Sequence, residues 1–142
     1  MDRKQFMRIT VKAILLNSQN QVLILNDRNS HYDLPGGGVD EGETLEQACL
    51  RELKEETPYE QFKIIEKLPN QYPYYVKNNP DFKSMMHCYV VKLIDDAKVS
   101  DLEPDTFEEW VSAGEVLEYF GNRDTPRHQA MKNSISDFND SL

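Results

Sequence analysis

Glu52, Glu55 and Glu56 stand three and four residues apart in the run Arg51-Glu52-Leu53-Lys54-Glu55-Glu56. Residues at those spacings are neighbours on a helix surface, where like charges repel unless a cation sits among them. The run is in register with an upstream loop: five residues separate Gly37 from Glu43, and seven separate Glu43 from Arg51. Six residue types at fixed offsets, each used at roughly 6% in average proteins, coincide by chance on the order of once in 10^7 positions. The pattern therefore calls for a chemical reason. An oxygen-rich cluster of this kind suits Mg²⁺, Mn²⁺ or Ca²⁺ rather than zinc.

The helix that must carry these carboxylates can be read in detail. Thr44-Leu45-Glu46-Gln47 is a capping box ahead of an apolar run, and Leu45, Ala48, Cys49 and Leu53 recur at helical spacing to define the buried face. Glu52 and Glu56 project along that apolar stripe, with Glu55 at its flank. Taken singly, each glutamate reads as a good helix former on a solvated face. Three together on the core side do not, because an unpaired buried carboxylate is costly and such groups are protonated, paired or on a metal.

The loop before the helix, residues 31–43, holds three consecutive glycines, Gly36, Gly37 and Gly38. Such backbone can adopt positive φ and approach another group closely, offering carbonyls to a metal or N–H groups to phosphate. No Gly-Lys-Ser/Thr follows, so this is not a P-loop, and the alternating Asp/Asn ladder of an EF-hand is missing.

Leu34-Pro35-Gly36-Gly37, Gly42-Glu43 and Arg51-Glu52-Leu53-Lys54-Glu55-Glu56 resemble the Nudix box of the Nudix hydrolases, which here covers residues 37–59. The resemblance implies an α/β fold, an α/β/α sandwich with a mixed β-sheet, as one domain over residues 1–142. It implies a metal-dependent pyrophosphohydrolase that cleaves the diphosphate of a nucleoside diphosphate linked to another moiety, with Mg²⁺ or Mn²⁺ as cofactor. By the same match Glu52, Glu55, Glu56 and the carbonyl of Gly36 are metal ligands, and Arg51 pairs with Glu43 to hold the loop against the helix. Glu55, Glu52, Arg51 and Glu43 form the expected catalytic set, with Gly37, Gly38 and Tyr75 towards substrate. The chain departs from the pattern where the family has Gly and then an aliphatic residue, for Pro58 and Tyr59 stand there. Proline cannot take the left-handed cap conformation and pushes Thr57 out of the α region, so the helix should end at or before Thr57 by a different turn. That exit bears on the aim of Glu55 and Glu56. The alternative is a non-catalytic nucleotide-sensing or regulatory domain. A plain acidic cation binder is disfavoured by the glycine loop in register with the helix.

The 142 residues suffice for one domain with a sizeable core. A formal net charge of −9 and a pI near 4.8 argue against nonspecific binding to nucleic acid or an anionic membrane. An acidic protein with an anionic substrate faces repulsion, which cations bridging carboxylates and phosphates resolve. A small-molecule nucleotide is the expected partner, and a homodimer is left open. With no secretory leader and no apolar run approaching about 18 residues, the expected location is cytoplasmic. Cys49 and Cys88 fall in apolar patterns and read as buried thiols.

The frame around the motif follows from period and punctuation. Residues 6–17 read as a strand with 21–26 as its hairpin partner, and the helix spans 44–57. Residues 61–77 read as a strand, a break and a second extended piece, because Pro69 and Pro73 interrupt them. Residues 82–93 read as a central strand, 95–105 as an acidic loop and 109–111 as a short strand. Ser112-Ala113-Gly114-Glu115 reads as a second capping box opening a helix to about Phe120. A last helix starts after Thr125 with Pro126 in its first turn, and a polar tail past Ser136 should fray.

A general base should be a carboxylate within hydrogen-bond reach of the attacking water. Glu52 and Glu55 are the candidates in the motif; Glu103, Asp105 and Glu108 are candidates on a loop that could fold back. Tyr72, Tyr74, Tyr75, Phe82, Phe107 and Trp110 could stack on a base, although aromatic residues in strands are more often core. Arg123, Arg127, His128 and Lys132 form a basic patch that could steer phosphates, with a solvated helix face as the plainer reading. His31 and His87 read as structural.

Overall fold

The computed structural model describes residues 6–27, 31–76, 79–121 and 123–142. Strand β1 (Phe6–Leu16) is the middle of one mixed sheet. Its run Val11 to Leu15 is apolar on alternate sides because it is covered on both faces. Val11, Ala13 and Leu15 pack towards helix α1 (Leu45–Glu56), whereas Ile14 packs on the opposite face, among residues of helix α3 (Pro126–Asp140). This gives two apolar layers around one sheet, the expected sandwich.

On one side β1 runs parallel to β7 (Asn79–Leu93), in register from Phe6↔Phe82 to Leu16↔Lys92. On its other side it meets β4 (Gly36–Gly38) through Thr10↔Gly38, Val11↔Gly37 and Lys12↔Gly36. Strand β2 (Gln21–Asp27) pairs with β1 only through Leu16↔Val22. The expected hairpin is thus barely a ladder, because β4 occupies that flank of β1. The main partner of β2 is β8 (Thr106–Ser112), along seven residue pairs, and this pairing extends β8 beyond the expected 109–111. The short strand β3 (Tyr32–Asp33) also pairs with β2. Strands β5 (Phe62–Lys67) and β6 (Tyr72–Val76) both pair antiparallel with β7, either side of the expected break. Pro73 is tolerated on β6, which lies off the main strand path.

Helix α1 starts as read. Thr44 Oγ1 accepts from Gln47 N at 3.1 Å, and Gln47 returns the bond to Thr44 N at 2.9 Å. It also ends as read. Thr57 is extended (φ −122°, ψ 159°), with its N–H and its hydroxyl both donating to the Leu53 carbonyl at 3.0 and 2.6 Å. Pro58 therefore trims the helix without unwinding the turn that carries Glu55 and Glu56.

Two local expectations are corrected. Ser112 makes no side-chain cap bond, since the chain first winds a 3₁₀ turn (Ala113–Glu115) before helix α2 (Val116–Phe120). The tighter turn does not form the reciprocal bonds of a capping box. The tail past Ser136 does not fray either. Helix α3 runs to Asp140, because Ile135 and Phe138 continue the buried stripe of Ala130 and Met131. Cys49 and Cys88 are free, buried thiols, and burial pushes Cys49 up to about 12. No helix among the described residues is long and apolar enough to cross a membrane.

Candidate active site

The glycine loop and α1 meet where β4 crosses β1. Gly36 has φ +147°, open to glycine, and a Cβ there would strike the Val11 carbonyl and lie 2.8 Å from Lys12 Cα. Its N–H donates to Glu56 Oε2 at 2.6 Å, so the bond it shows to the glutamate helix runs through its amide. At Gly37 a Cβ would lie 2.6 Å from Glu52 Oε1 and 2.8 Å from its carboxyl carbon. The bare Cα of Gly37 is the cradle of the Glu52 carboxylate rather than a face held out to substrate. Gly38 is covered in the same way, by the Arg8 guanidinium, while its carbonyl accepts from Arg51 at 3.0 Å.

Arg51 ties the parts together. Its Nε and one terminal nitrogen grip both oxygens of Glu43 at 2.7 and 2.9 Å. Its other terminal nitrogen reaches Glu52 at 3.0 Å and Glu55 at 3.3 Å. Bidentate geometry of this kind fixes orientation as well as energy. Glu43, hydrogen-bonded by Arg51 and by the Asp40 amide, is held below the usual carboxylate range, and Arg51 is raised by Glu43 above all. The pair is thus ionised across the neutral range. The expected Arg51–Glu43 pair is present, with the Gly38 carbonyl as an added anchor.

The three helix glutamates take different environments. Glu52 is 13% exposed and Glu55 57% exposed, as their places on the stripe and at its flank require. Burial raises the Glu56 carboxyl to about 7, against a smaller lowering by the Gly36 amide and by Lys12. Among the described residues no three Asp, Glu, His or Cys side chains converge at metal-binding distance. Arg51 draws Glu52 and Glu55, and the Gly36 amide draws Glu56. The donor set still fits a hard divalent cation. It is all oxygen, one carboxylate fills a cradle that a methyl group would close, and another is largely buried at the cleft.

A cleft of about 770 Å³ opens beside this constellation, and Glu56 is the glutamate of α1 that lines it. Its other walls come from β3, the end of β2, the start of β8 and the N-terminal turn of α3. Arg123, Arg127 and His128 lie on that wall. The basic patch is accordingly a cleft wall rather than a solvated helix face, except for Lys132, which bonds the Gly121 carbonyl at 2.8 Å. His31 also lines the cleft, whereas His87 sits in β7 with Nδ1 buried and without a hydrogen-bond partner among the described residues.

Tyr75 is not brought to the cleft. It is half exposed on β6, with Lys83 Nζ 5.8 Å from its ring centre. The reason is its register opposite Lys83, at the far end of the β6–β7 ribbon. Tyr72 bonds Asp137 of α3, and Tyr74 is buried. Trp110 packs against Tyr59, and Phe107 is exposed and outside the cleft wall. Among the loop carboxylates, Glu108 is held by the Tyr59 hydroxyl at 3.1 Å and by Lys98 at 2.8 Å, on the α1 face. Glu103 accepts from the Thr106 amide through its own carbonyl, and Asp105 takes a positive φ of 66° in that turn. Neither Glu103 nor Asp105 lines the cleft, although Thr106 beside them does.

Residue-by-residue reading missed Lys12, Asp33 and Tyr32. Lys12 is buried on β1, and its ammonium donates to Asp33 Oδ1 and to the Leu34 carbonyl, each at 3.0 Å. A lysine inside a run otherwise read as strand was the available signal. Asp33 and Tyr32 line the cleft, with Tyr32 edge-on to Tyr119 at 5.3 Å.

The family model of the NUDIX domain matches residues 7–135. An RNA pyrophosphohydrolase of Wolbachia sp. subsp. Brugia malayi is 44% identical over 68 residues, 46% of this chain and 42% of that protein. The chain thus spans about two fifths of that relative's length. A Bacillus subtilis protein, provisionally named an 8-oxo-dGTP diphosphatase, is 28% identical over 128 residues, 89% of this chain and 81% of its own. Among solved structures, the MutT protein of Methanosarcina mazei Go1 superposes with a TM-score of 0.72 over 99% of this chain and 98% of its own, at 21% identity, a likeness of fold. Motif, sandwich and a family match over nearly the whole chain agree, and the protein belongs to the Nudix hydrolase family.

Proposed function

We propose that this chain, as one domain over residues 1–142, is a metal-dependent pyrophosphohydrolase that hydrolyses the diphosphate of a nucleoside diphosphate linked to another moiety. Supporting this is one observation above others: Glu56, bonded to the Gly36 amide, lines a cleft of about 770 Å³, and Glu52 sits on Gly37 on the same helix. A cavity of that size holds a nucleotide-sized ligand. Glu52, Glu56, Glu55 and the Gly36 carbonyl are the residues that would hold Mg²⁺ or Mn²⁺, which supplies polarisation of the phosphoryl oxygens and a more acidic attacking water. Arg51 and Glu43 position: their ion pair locks the loop to the helix and keeps Glu52 turned to Gly37.

The remaining chemistry falls to the chain's own groups. A water oxygen attacks one phosphorus, the bridging P–O bond breaks, and the leaving phosphate carries the bond's electrons. Glu55 is the motif carboxylate with access to solvent, so it is placed to take the water's proton. Glu52 is the second candidate. Glu108 is less well placed, since it is turned to Tyr59 and Lys98. The sensing alternative drew on Pro58, and that support is weakened because α1 reaches Glu56 regardless. A cytoplasmic location accords with the reading.

The test is a panel of nucleoside triphosphates, ADP-ribose, nucleotide sugars, NADH and dinucleoside polyphosphates with Mg²⁺ or Mn²⁺, reading released phosphate and nucleoside monophosphate. Release that needs metal and stops in Glu55→Gln or Glu52→Gln, with the fold intact, supports catalysis. Tight nucleotide binding without any release would give the site to sensing.

A further inference from the structure

Lys12 is a charge at a place where the fold needs an aliphatic side chain. It shares a face of β1 with Ile14, which packs among residues of α3, and it is 6% exposed. An apolar residue would fill that place without the desolvation cost of an ammonium, so the charge calls for a local use.

The contacts supply that use. Lys12 stands opposite Gly36 in the β1–β4 register. Its stem runs past that glycine, where a Cβ would lie 2.9 Å from Lys12 Cδ. The ammonium then reaches the Leu34 carbonyl and Asp33 Oδ1, each at 3.0 Å. The next carbonyl, that of Pro35, accepts from the Ala13 amide at 2.9 Å. The Gly36 amide turns the other way and donates to Glu56 at 2.6 Å. Leu34 and Pro35 are thus pinned to β1 through their carbonyls, and Gly36 is presented to α1. The Pro35 pin is backbone and survives most substitutions, whereas the Leu34 pin lasts only while residue 12 is a donor of that length. Asp33 is braced from its other side by Arg127, at 3.2–3.3 Å.

We propose that Lys12 is a positioning residue of the metal site: through the Leu34 carbonyl and Asp33 it fixes the Gly36 peptide, and with it the Glu56 carboxylate bonded there, in the arrangement that receives the cation. The inference rests on the pyrophosphohydrolase reading for what the site does, and Lys12 acts through the loop rather than on substrate. Partners that orient a metal ligand typically account for about 10–100-fold in metal affinity.

The experiment compares wild type with Lys12→Met, which keeps an apolar stem and removes the donor, and with Ile135→Val, a change in the same apolar layer that leaves the loop alone. Each is read by hydrogen exchange of the Gly36 amide in metal-free protein, by Mn²⁺ affinity, and by kcat and KM at saturating Mn²⁺. In Lys12→Met the Gly36 amide should exchange at least about tenfold faster, while amides of the β1–β7 ladder keep their wild-type rates. Mn²⁺ should bind about 10–100-fold more weakly, and the lost turnover should fall on kcat, with KM within about threefold of wild type. Ile135→Val should stay within about twofold of wild type in every reading. Wild-type Gly36 exchange or wild-type Mn²⁺ affinity in Lys12→Met would overturn the proposal, as would the same changes in Ile135→Val. If Lys12→Met does not fold, Lys12→Gln takes its place, since its amide serves one acceptor but not both. Mn²⁺ binding at least about threefold weaker then upholds the proposal, and wild-type affinity overturns it. A wild type that binds no Mn²⁺ or hydrolyses nothing fails the pyrophosphohydrolase reading separately, and Gly36 exchange in the metal-free variants still decides the role of Lys12.

Discussion

Adjacent glycines of the loop should fail in opposite ways when a methyl group is added. At Gly36 the backbone sits at φ +147°, which costs an L-residue about 1–3 kcal/mol, and the new Cβ would meet the backbone of β1 at the Val11 carbonyl. Backbone of a central strand cannot retreat cheaply, so Gly36→Ala should cost about 3 kcal/mol or more. For a chain of 142 residues, an unfolding entropy of about 2.1 cal/mol/K per residue converts 1 kcal/mol to about 3–4 °C, so Tm should fall by about 10 °C. At Gly37 the Cβ meets only the far end of a flexible side chain. Glu52 Oε1 would lie at 2.6 Å, and ordinary contact begins at 3.4 Å, so the carboxylate must withdraw by about 0.8 Å. The fold should lose under about 1 kcal/mol, or a Tm shift within about 3 °C. Metal–ligand distances tolerate only about ±0.2 Å, so the same change should weaken Mn²⁺ binding by about 10–100-fold and carry turnover down with it. Scanning calorimetry and a Mn²⁺ titration on the two variants separate these effects. Equal loss of Tm in both, or wild-type metal affinity in Gly37→Ala, would refute the reasoning that Gly37 is glycine for the sake of Glu52.

Further outcomes follow from other contacts. Arg51→Lys keeps a charge but loses the bidentate grip on Glu43 and the reach to the Gly38 carbonyl, so kcat should fall by about 10²-fold, measured at saturating substrate and metal. Glu56, raised from 4.5 to about 7, keeps a proton when folded that it loses when unfolded. Metal-free stability should therefore be highest below pH 4.5 as far as this group is concerned. It should decline by about 1–2 kcal/mol, allowing for partial exposure, as pH rises through 7. A metal displaces that proton, so Mn²⁺ affinity should rise with pH up to about 7 and then level, with proton uptake by the buffer visible in calorimetry. Pro58→Gly should leave kcat within about twofold, because Thr57 already closes α1 on the Leu53 carbonyl, and should lower Tm by a few degrees through the freer unfolded chain. A large gain in activity would show instead that Pro58 misdirects Glu55 and Glu56.

What could be read in advance was local. The Thr44–Gln47 box, the stripe of Ala48, Cys49 and Leu53, the split between Glu52 and Glu55 and the extended Thr57 before Pro58 each depend on residues within one or two helical turns. The same holds for Arg51 and Glu43, which a known motif places together. The cleft could not be read this way. Arg127 and Asp33 meet across 94 positions and Lys12 and Asp33 across 21, and only the sheet order brings them to one wall. Tyr75 was misplaced for the same reason: its distance along the chain from the motif says nothing of its position on the β6–β7 ribbon. The tail beyond Ser136 looked polar because Phe138 stands nearly alone in it, yet Phe138 is spaced to share the buried face of Ile135.

The central claim is that Glu52 and Glu56 hold the metal that hydrolysis needs. The most direct test is kcat for Glu52→Gln and Glu56→Gln beside Tm and Mn²⁺ affinity, on the substrate that wild type turns over fastest. The account predicts a loss of about 10³-fold or more in kcat and markedly weaker Mn²⁺ binding, with Tm within a few degrees of wild type. Folded variants that retain turnover within about tenfold of wild type would contradict it.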